Sequence, residues 1–432
     1  MRTFFILRDL FSDRRIRNDR LRLFCTDRQT VSQIMYITKA NIGLRKKFLY
    51  VIISVHSMTA VGGYCPERSS GCADPFEKQG SARTHFFMSC PADKPKRMEI
   101  LKMVWRKPHM SQQRKPLVTH IFTADPSAHV FNGKIYIYPS HDIPHNGEDN
   151  DNGDEYMMED YHVLSMDSVD SPCVDNGEAL HMKDVKWVSK QMWAPDLAYT
   201  NGRYHLIFPA RDKNGIFRIG AAHSDSPAGP FTPDDDFIKG TCSIDPCVFV
   251  DDDGKIYMFY GGLWGGQLEK WETGSFDPNG GEPDPDKPAL APYCAELNGD
   301  CDALASEPFH VRIVDENGND IQAGDEDRRY FEAPWMHKYN GTYYLSYSTG
   351  TTHYLVYATS DSPTGPFTFR GRIMEPVIGW TTHHSIVEYE GKWYIFYHDA
   401  ELSNGVNHRR CVKFTELEYN ADGSIVTIEP YK

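Results

Sequence analysis

Five times along this chain an apolar run meets a short turn and continues as a strand rich in Tyr, Phe and Ile. The turns are Asn132-Gly133, Asn201-Gly202, Asp253-Gly254, Asn340-Gly341 and Glu390-Gly391. Asn-Gly and Asp-Gly supply the two positive φ angles of a type I′ hairpin, and the flanks alternate as strands do. The glycines lie 69, 52, 87 and 50 positions apart, so the connections vary while the unit persists. A second echo repeats the period: Ser224-Asp-Ser-Pro-Ala-Gly-Pro-Phe231 follows the second hairpin, and Ser360-Asp-Ser-Pro-Thr-Gly-Pro-Phe367 the fourth. Repeats of about 50 residues, each with about four short strands, predict an all-β, five-bladed β-propeller. No unit can bury both faces alone, so stacking around an axis provides the core. A two-sheet sandwich is the competing architecture, and it gives no reason for five matched units.

The charge divides the chain before the first unit. Residues 1–115 hold 23 of the 46 Lys and Arg but only 9 of the 60 Asp and Glu, a net of +14 against −28 for residues 116–432. We place the domain boundary there: a basic leader, 1–115, expected to be poorly ordered or outside the mature fold, and a propeller from 116 to 432. Lys46-Lys47 and the apolar run 48–62 have the form of a secretory signal, interrupted by His56 and preceded by nearly fifty residues. Translation from Met98, Met103 or Met110 is the alternative. The first reading implies a periplasmic or secreted protein, the second a cytoplasmic one. No stretch reaches the ~20 apolar residues of a membrane span. The acidic body argues against nucleic acid as a partner. Cys25, Cys65, Cys72 and Cys90 lack metal-ligand spacing, and the six later cysteines read as buried small residues without a disulfide framework.

Three acids stand just before hairpin units: Asp125 in Thr-Ala-Asp-Pro-Ser, Asp245 in Ser-Ile-Asp-Pro-Cys, and Glu332 in Tyr-Phe-Glu-Ala-Pro-Trp. An Asp before Pro is often only a turn former. At matched points of units set around an axis, however, the three carboxylates converge. Apolar neighbours keep water sparse there, so the carboxyls separate into acid and base roles. Glycosidic bond hydrolysis needs one protonated carboxyl for the leaving oxygen and one carboxylate for water.

From about 116 to 432 the chain resembles family 43 glycoside hydrolases, five-bladed propellers that remove xylose or arabinose from plant polysaccharides with inversion. The resemblance rests on an ordered set: Ala124-Asp-Pro-Ser127, Trp193-Ala-Pro-Asp196, Ile244-Asp-Pro246, Phe331-Glu-Ala-Pro-Trp335 and Thr382-His-His-Ser385. It implies Asp125 as general base, Glu332 as general acid, and Asp245 as the carboxylate that holds the acid and raises its pKa. It also implies His383 beside a central calcium ion, structural or activating and often reached through water, and Arg410 on sugar hydroxyls. Ala333 stands where many members carry Gly, which bears on specificity.

Trp193, Trp264, Phe331 and Trp380 are candidates for stacking on a sugar, with about two expected to touch it. Asp196 either lines the pocket or only forms a turn. His383 and His384 are consecutive in a strand and face opposite ways; the alternative for His383 is a core histidine satisfied by backbone. His141-Asp-Ile-Pro-His145 and the acidic run 148–155 have metal-site composition, but Asp149-x-Asp151-x-Gly153 lacks the EF-hand's spaced Glu, and the run reads as a solvated loop. Insertions at 139–160 and 265–328 are expected to wall the pocket and favour single-sugar release from xylan, arabinoxylan or arabinan. The alternative function is a non-catalytic carbohydrate-binding propeller.

Overall fold

Four of the five turns have the predicted backbone. Asn132 and Gly133 have φ of 53° and 74°, and Asn201-Gly202, Asn340-Gly341 and Glu390-Gly391 repeat the pair of positive angles. The third differs. Only Gly254 is left-handed (φ 83°), and its N–H donates to Asp251 O at 2.9 Å. The turn begins early because the next blade holds Asp251: Lys338 Nζ lies 3.0 Å from Oδ1, and the Tyr343 hydroxyl donates to Oδ2 at 2.7 Å.

The computed structural model describes residues 113–145, 149–380 and 382–431, and the backbone of two antiparallel strands, Met35–Lys39 and Val51–Val55, in a separate unit. The rest of the leader, including its four cysteines and the remainder of the signal-like segment, lies outside the described residues. Among the described residues no helix is long and apolar enough to cross a membrane.

The acidic body is a five-bladed β-propeller. Each blade starts with the strand nearest the axis: Phe122–Phe131 in blade I, Asp196–Thr200 in II, Cys247–Val250 in III, Glu332–Tyr339 in IV and His384–Tyr389 in V. Each of these pairs antiparallel with its hairpin partner and touches the inner strands of neighbouring blades. Blade V has three strands of its own. Residues just ahead of blade I complete it, with Arg114 N–H donating to Phe414 O (2.7 Å) and Leu117 N–H to Val412 O (2.9 Å). This closure buries Leu117, Val118, Ile135, Leu164, Phe396 and Phe414 in one apolar seam between blades I and V. Burying a large apolar side chain contributes roughly 1.5–3 kcal/mol, so the seam supports the ring.

The repeated Ser-Asp-Ser-Pro segments make the same turn in blades II and IV. Ser226 N–H donates to Ser224 Oγ and Ser362 N–H to Ser360 Oγ, both at 3.1 Å, and Phe231 and Phe367 are buried after it.

Candidate active site

The prolines 126, 195, 246 and 334 align four inner strands, and the alignment sorts the site residues by depth. One step before proline stand Asp125, Ala194, Asp245 and Ala333. Of these Asp125, Asp245 and Ala333 have φ of 48°, 56° and 60°, and bulges interrupt the pairing at Ala124/Ser127 and Glu332/Trp335. Left-handed backbone is uncommon for such residues. It turns the chain so that a side chain leaves the ladder and enters the axial hollow. Ala333 occupies the conformation glycine adopts most easily. Glu332 therefore sits one residue above Asp125 and Asp245, level with Trp193 and Ile244.

One step after proline stand Ser127, Asp196, Cys247 and Trp335, a layer below. Asp196 is 1% exposed. Its carboxylate accepts from Ser127 Oγ, from Leu197 N–H (2.7 Å) and, at Oδ2, from Val248 N–H (2.6 Å), and contacts His129 Nε2 at 2.7 Å. Asp196 is thus a brace joining blades I, II and III; of its two readings, pocket lining or turn, the pocket-lining one is not met, since it is not among the residues of the axial hollow.

Asp125, Asp245 and Glu332 line one hollow of about 270 Å³. A second hollow, of about 400 Å³ beside Asp286, Arg312 and Asp320, contains none of them and is walled by an exposed ion pair. The axial hollow is the site. Asp125 is buried and held on several sides. Arg410 Nη1 donates to its Oδ1 at 3.0 Å, Ser140 Oγ to its Oδ2 at 2.7 Å, and its own N–H donates to His398 Nδ1 at 3.0 Å. Burial works to raise the Asp125 pKa, but Arg410, then His398 and His383, outweigh it and hold the carboxyl well below the usual range. The Arg410 charge is permanent, and His398 Nδ1 accepts the Asp125 N–H.

Arg410 is itself anchored. Its Nε and Nη2 donate to Asp142 at 2.9 and 2.7 Å, and its guanidinium lies 4.9 Å from the Tyr156 ring centre. The fork thus engages two carboxylates and uses one N–H of each Nη in doing so. The sequence reading did not include Ser140, Asp142, His398 or Tyr156. Ser140, Asp142 and His398 lie near the ends of second strands, Lys134–Asp142 and Lys392–Asp399, where blades meet the same hollow. That shared position is the signal that would have found them.

Asp245 lies opposite in character. Burial pushes its pKa well above the usual range, and the negative charges of Glu332 and Asp125 push the same way. Its Oδ2 accepts from Ala333 N–H at 3.0 Å, which ties it to the backbone next to Glu332. His383 enters the hollow with Nδ1 3.9 Å from Asp125 and 4.0 Å from Asp245. Burial lowers its pKa to about 4 against the pull of Asp125, leaving the ring neutral near pH 7. His384 points the other way, fully buried, with Nε2 2.6 Å from Ser346 Oγ.

Trp193, Trp264, Phe331 and Trp380 all line the hollow. Trp264 has a left-handed backbone (φ 54°), costly for a bulky residue. It is retained by its N–H on Glu269 (2.9 Å), its indole N–H on Glu282 (2.8 Å) and edge contact with Phe331. Arg329 also binds Glu282. The acidic run keeps Asp149, Asp151 and Asn152 exposed, as a solvated loop does, and also forms a wall. Asp149, Asp151 and Glu155 line the hollow, Gln191 Nε2 donates to Gly153 O at 2.7 Å, and the Trp193 indole donates to Tyr156 O at 3.0 Å. Only glycine fits at 153, where a Cβ would lie 2.5 Å from the Trp193 ring. Buried Arg211 clamps two walls together, donating to Asn152 O (2.8 Å) and Gly265 O (3.2 Å).

Residues 114–425 match the family model for glycosyl hydrolases family 43. The chain belongs to that family. It is therefore a glycosidase, which sets aside the purely sugar-binding alternative. The chain is 59% identical to a xylosidase/arabinosidase 43A of Humicola insolens over 324 residues, 73% of this chain and 99% of the relative. It is 50% identical to a xylosidase/arabinosidase of Bacteroides ovatus over 321 residues, 74% of this chain and 99% of that one. Among solved structures it resembles CoXyl43, a β-xylosidase/α-arabinofuranosidase from a compost metagenome in complex with xylotriose in a calcium-free form. The TM-score is 0.73 and the identity 60%, over 74% of this chain and 98% of the other.

Proposed function

We propose that this family 43 enzyme releases single xylose or arabinose units from xylan, arabinoxylan or arabinan fragments with inversion. Asp125 acts as base, Glu332 as acid, and Asp245 holds the acid's proton in the site. The observation that carries this reading is the opposed state of two aspartates in one hollow: one clamped ionised by Arg410, the other pushed toward its neutral form beside Glu332.

A sugar entering the hollow would take up the remaining N–H groups of Arg410 with its hydroxyls. Arg410 would then share its charge with the substrate, and Asp125 would regain basicity toward a water. Across the ring, Glu332 and Asp245 repel each other in a dry setting and retain a proton between them. Glu332 delivers it to the glycosidic oxygen as the bond breaks, while the water adds from the Asp125 side. Trp193, Trp264 and Phe331 exclude water and offer flat faces to the sugar. The walls at 149–156, 264–266 and 378–380 support release of end units.

Calcium is proposed as a bound ion at His383. The neutral ring offers one nitrogen, and carboxylates 3.9 and 4.0 Å from it suit an ion that keeps most of its waters. Such an ion would supply positive charge at the pocket floor. Its removal by chelator should lower rate or melting temperature, with recovery on adding calcium back; an unchanged protein counts against it.

Aryl xyloside and arabinofuranoside turnover tests the main reading. Asp125→Ala and Glu332→Gln should each lower kcat by about 10²–10⁴. Unchanged rates in both would remove the assignment.

A further inference from the structure

We propose that blade I carries a zinc-type transition-metal site on the side of its strands turned away from the Asp142–Arg410–Asp125 network. His141 is one residue before Asp142, so the two side chains leave the strand in opposite directions. Asp142 goes to Arg410, and His141 goes to Asp160 on the adjacent strand, one step past the Ser140–Tyr161 pair. His162 is two residues from Asp160 on the same strand and shares its side. The rings of His141 and His162 meet edge to face with centres 5.0 Å apart. One donor atom from each of His141, Asp160 and His162 lies within 4.8 Å of the other two.

Two further features are those of a built site. The His162 ring is fixed by Asp175, whose oxygens stand 2.9 and 3.1 Å from Nδ1, leaving Nε2 as its free donor atom. A carboxylate behind a ligating histidine is the usual device for fixing ring orientation. Asp175 is held in turn by Gly177 N–H at 2.8 Å and by His120 Nε2 at 2.8 Å. All three candidate ligands are mostly buried, with side-chain exposures of 16%, 12% and 17%. Their long axes are therefore restricted before any ion arrives.

The donor set decides the ion. Two imidazoles and one carboxylate suit zinc, cobalt or nickel, whereas calcium prefers oxygen throughout. Three protein ligands leave a fourth tetrahedral position for water. His181 stands directly opposite Asp160 in the ladder. His141 Nδ1 and Asp160 Oδ1 are now 2.5 Å apart, and sharing a zinc ion would open them to about 3.3 Å. That displacement is within reach of a side-chain rotation.

The test uses the full chain, stripped of metal, titrated with zinc chloride against a chromophoric chelator near neutral pH. One equivalent should bind to the unaltered protein and to His383→Ala, which separates this site from any ion at the axis. The His141→Ala/His162→Ala pair should lose it, with affinity falling at least 100-fold. Asp175→Asn, which keeps all three ligands, should weaken binding by about 10-fold. Cobalt should give visible absorption of tetrahedral intensity in the unaltered protein and lose it in the pair. Melting curves without metal report whether the pair still folds, and Asp175→Asn carries the test if it does not. Absence of a bound equivalent, its survival in the pair, or its loss in His383→Ala would each overturn the proposal.

Discussion

The two flanks of the axial hollow are built on opposite principles. On the blade I side Asp125 is buried beside a permanent cation, and that cation is fixed by Asp142 from behind. On the blade III and IV side Asp245 is equally buried but meets the charge of Glu332 and a single backbone N–H. Burial penalises both carboxylates alike, so the neighbour decides which one stays charged. One fold position, the left-handed residue before a proline, thus yields two protonation behaviours.

Removing the cation attacks the contrast most strongly. Arg410→Met leaves Asp125 and Asp142 buried without their partner, which costs about 3–5 kcal/mol of stability. We expect kcat/KM to fall by about 10²–10³ and the acid limb of the remaining activity to move to higher pH. The sign follows from the depressed Asp125 value. Its contribution to stability is present above about pH 4 and is lost as pH falls through the depressed value. In the variant that contribution is gone, so thermal melting and pH–rate curves together check the claim.

Asp245→Asn probes the other flank and should act in the reverse direction on stability. A raised folded value means that folding is penalised as pH rises above the ordinary Asp value of about 4. The neutral amide keeps an oxygen for Ala333 N–H and removes that penalty. We expect Tm to rise by roughly 2–5 °C at neutral pH, with the gain shrinking toward pH 4. Activity should drop because the acid loses the partner that retains its proton. A smaller effect is expected at the rim. Glu282→Gln weakens the hold on the Trp264 indole and on Arg329, and KM for aryl xyloside should rise about 2–5-fold with kcat nearly unchanged.

Much of this arrangement was legible before any coordinates. Four hairpin turns needed only two positive φ angles, a local demand that Asn-Gly and Glu-Gly disclose. The remaining one, the third, at Asp253-Gly254, differs where blade IV contacts Asp251, which local sequence does not encode. The three acids were found because each precedes a unit, while Asp196, left open between pocket and turn, falls one step past the proline, where side chains enter the layer beneath. Ser140 and His398 carry no motif and gain meaning only from strand ends converging on the axis. The acidic run 148–155 looked solvated by composition. It also forms a wall because Gln191 and Arg211 bind its backbone and Trp193 that of Tyr156 next to it, and those partners are 38, 59 and 37 residues away.

The contrast between the two flanks can be read directly by NMR titration of protein carrying carboxyl-¹³C aspartate, assigned with Asp125→Asn and Asp245→Asn. The account predicts that the Asp125 signal stays in the ionised position down to the acid limit of folding, while Asp245 titrates well above ordinary carboxylates. Two signals that both titrate near pH 4, unaffected by Arg410→Met, would contradict it.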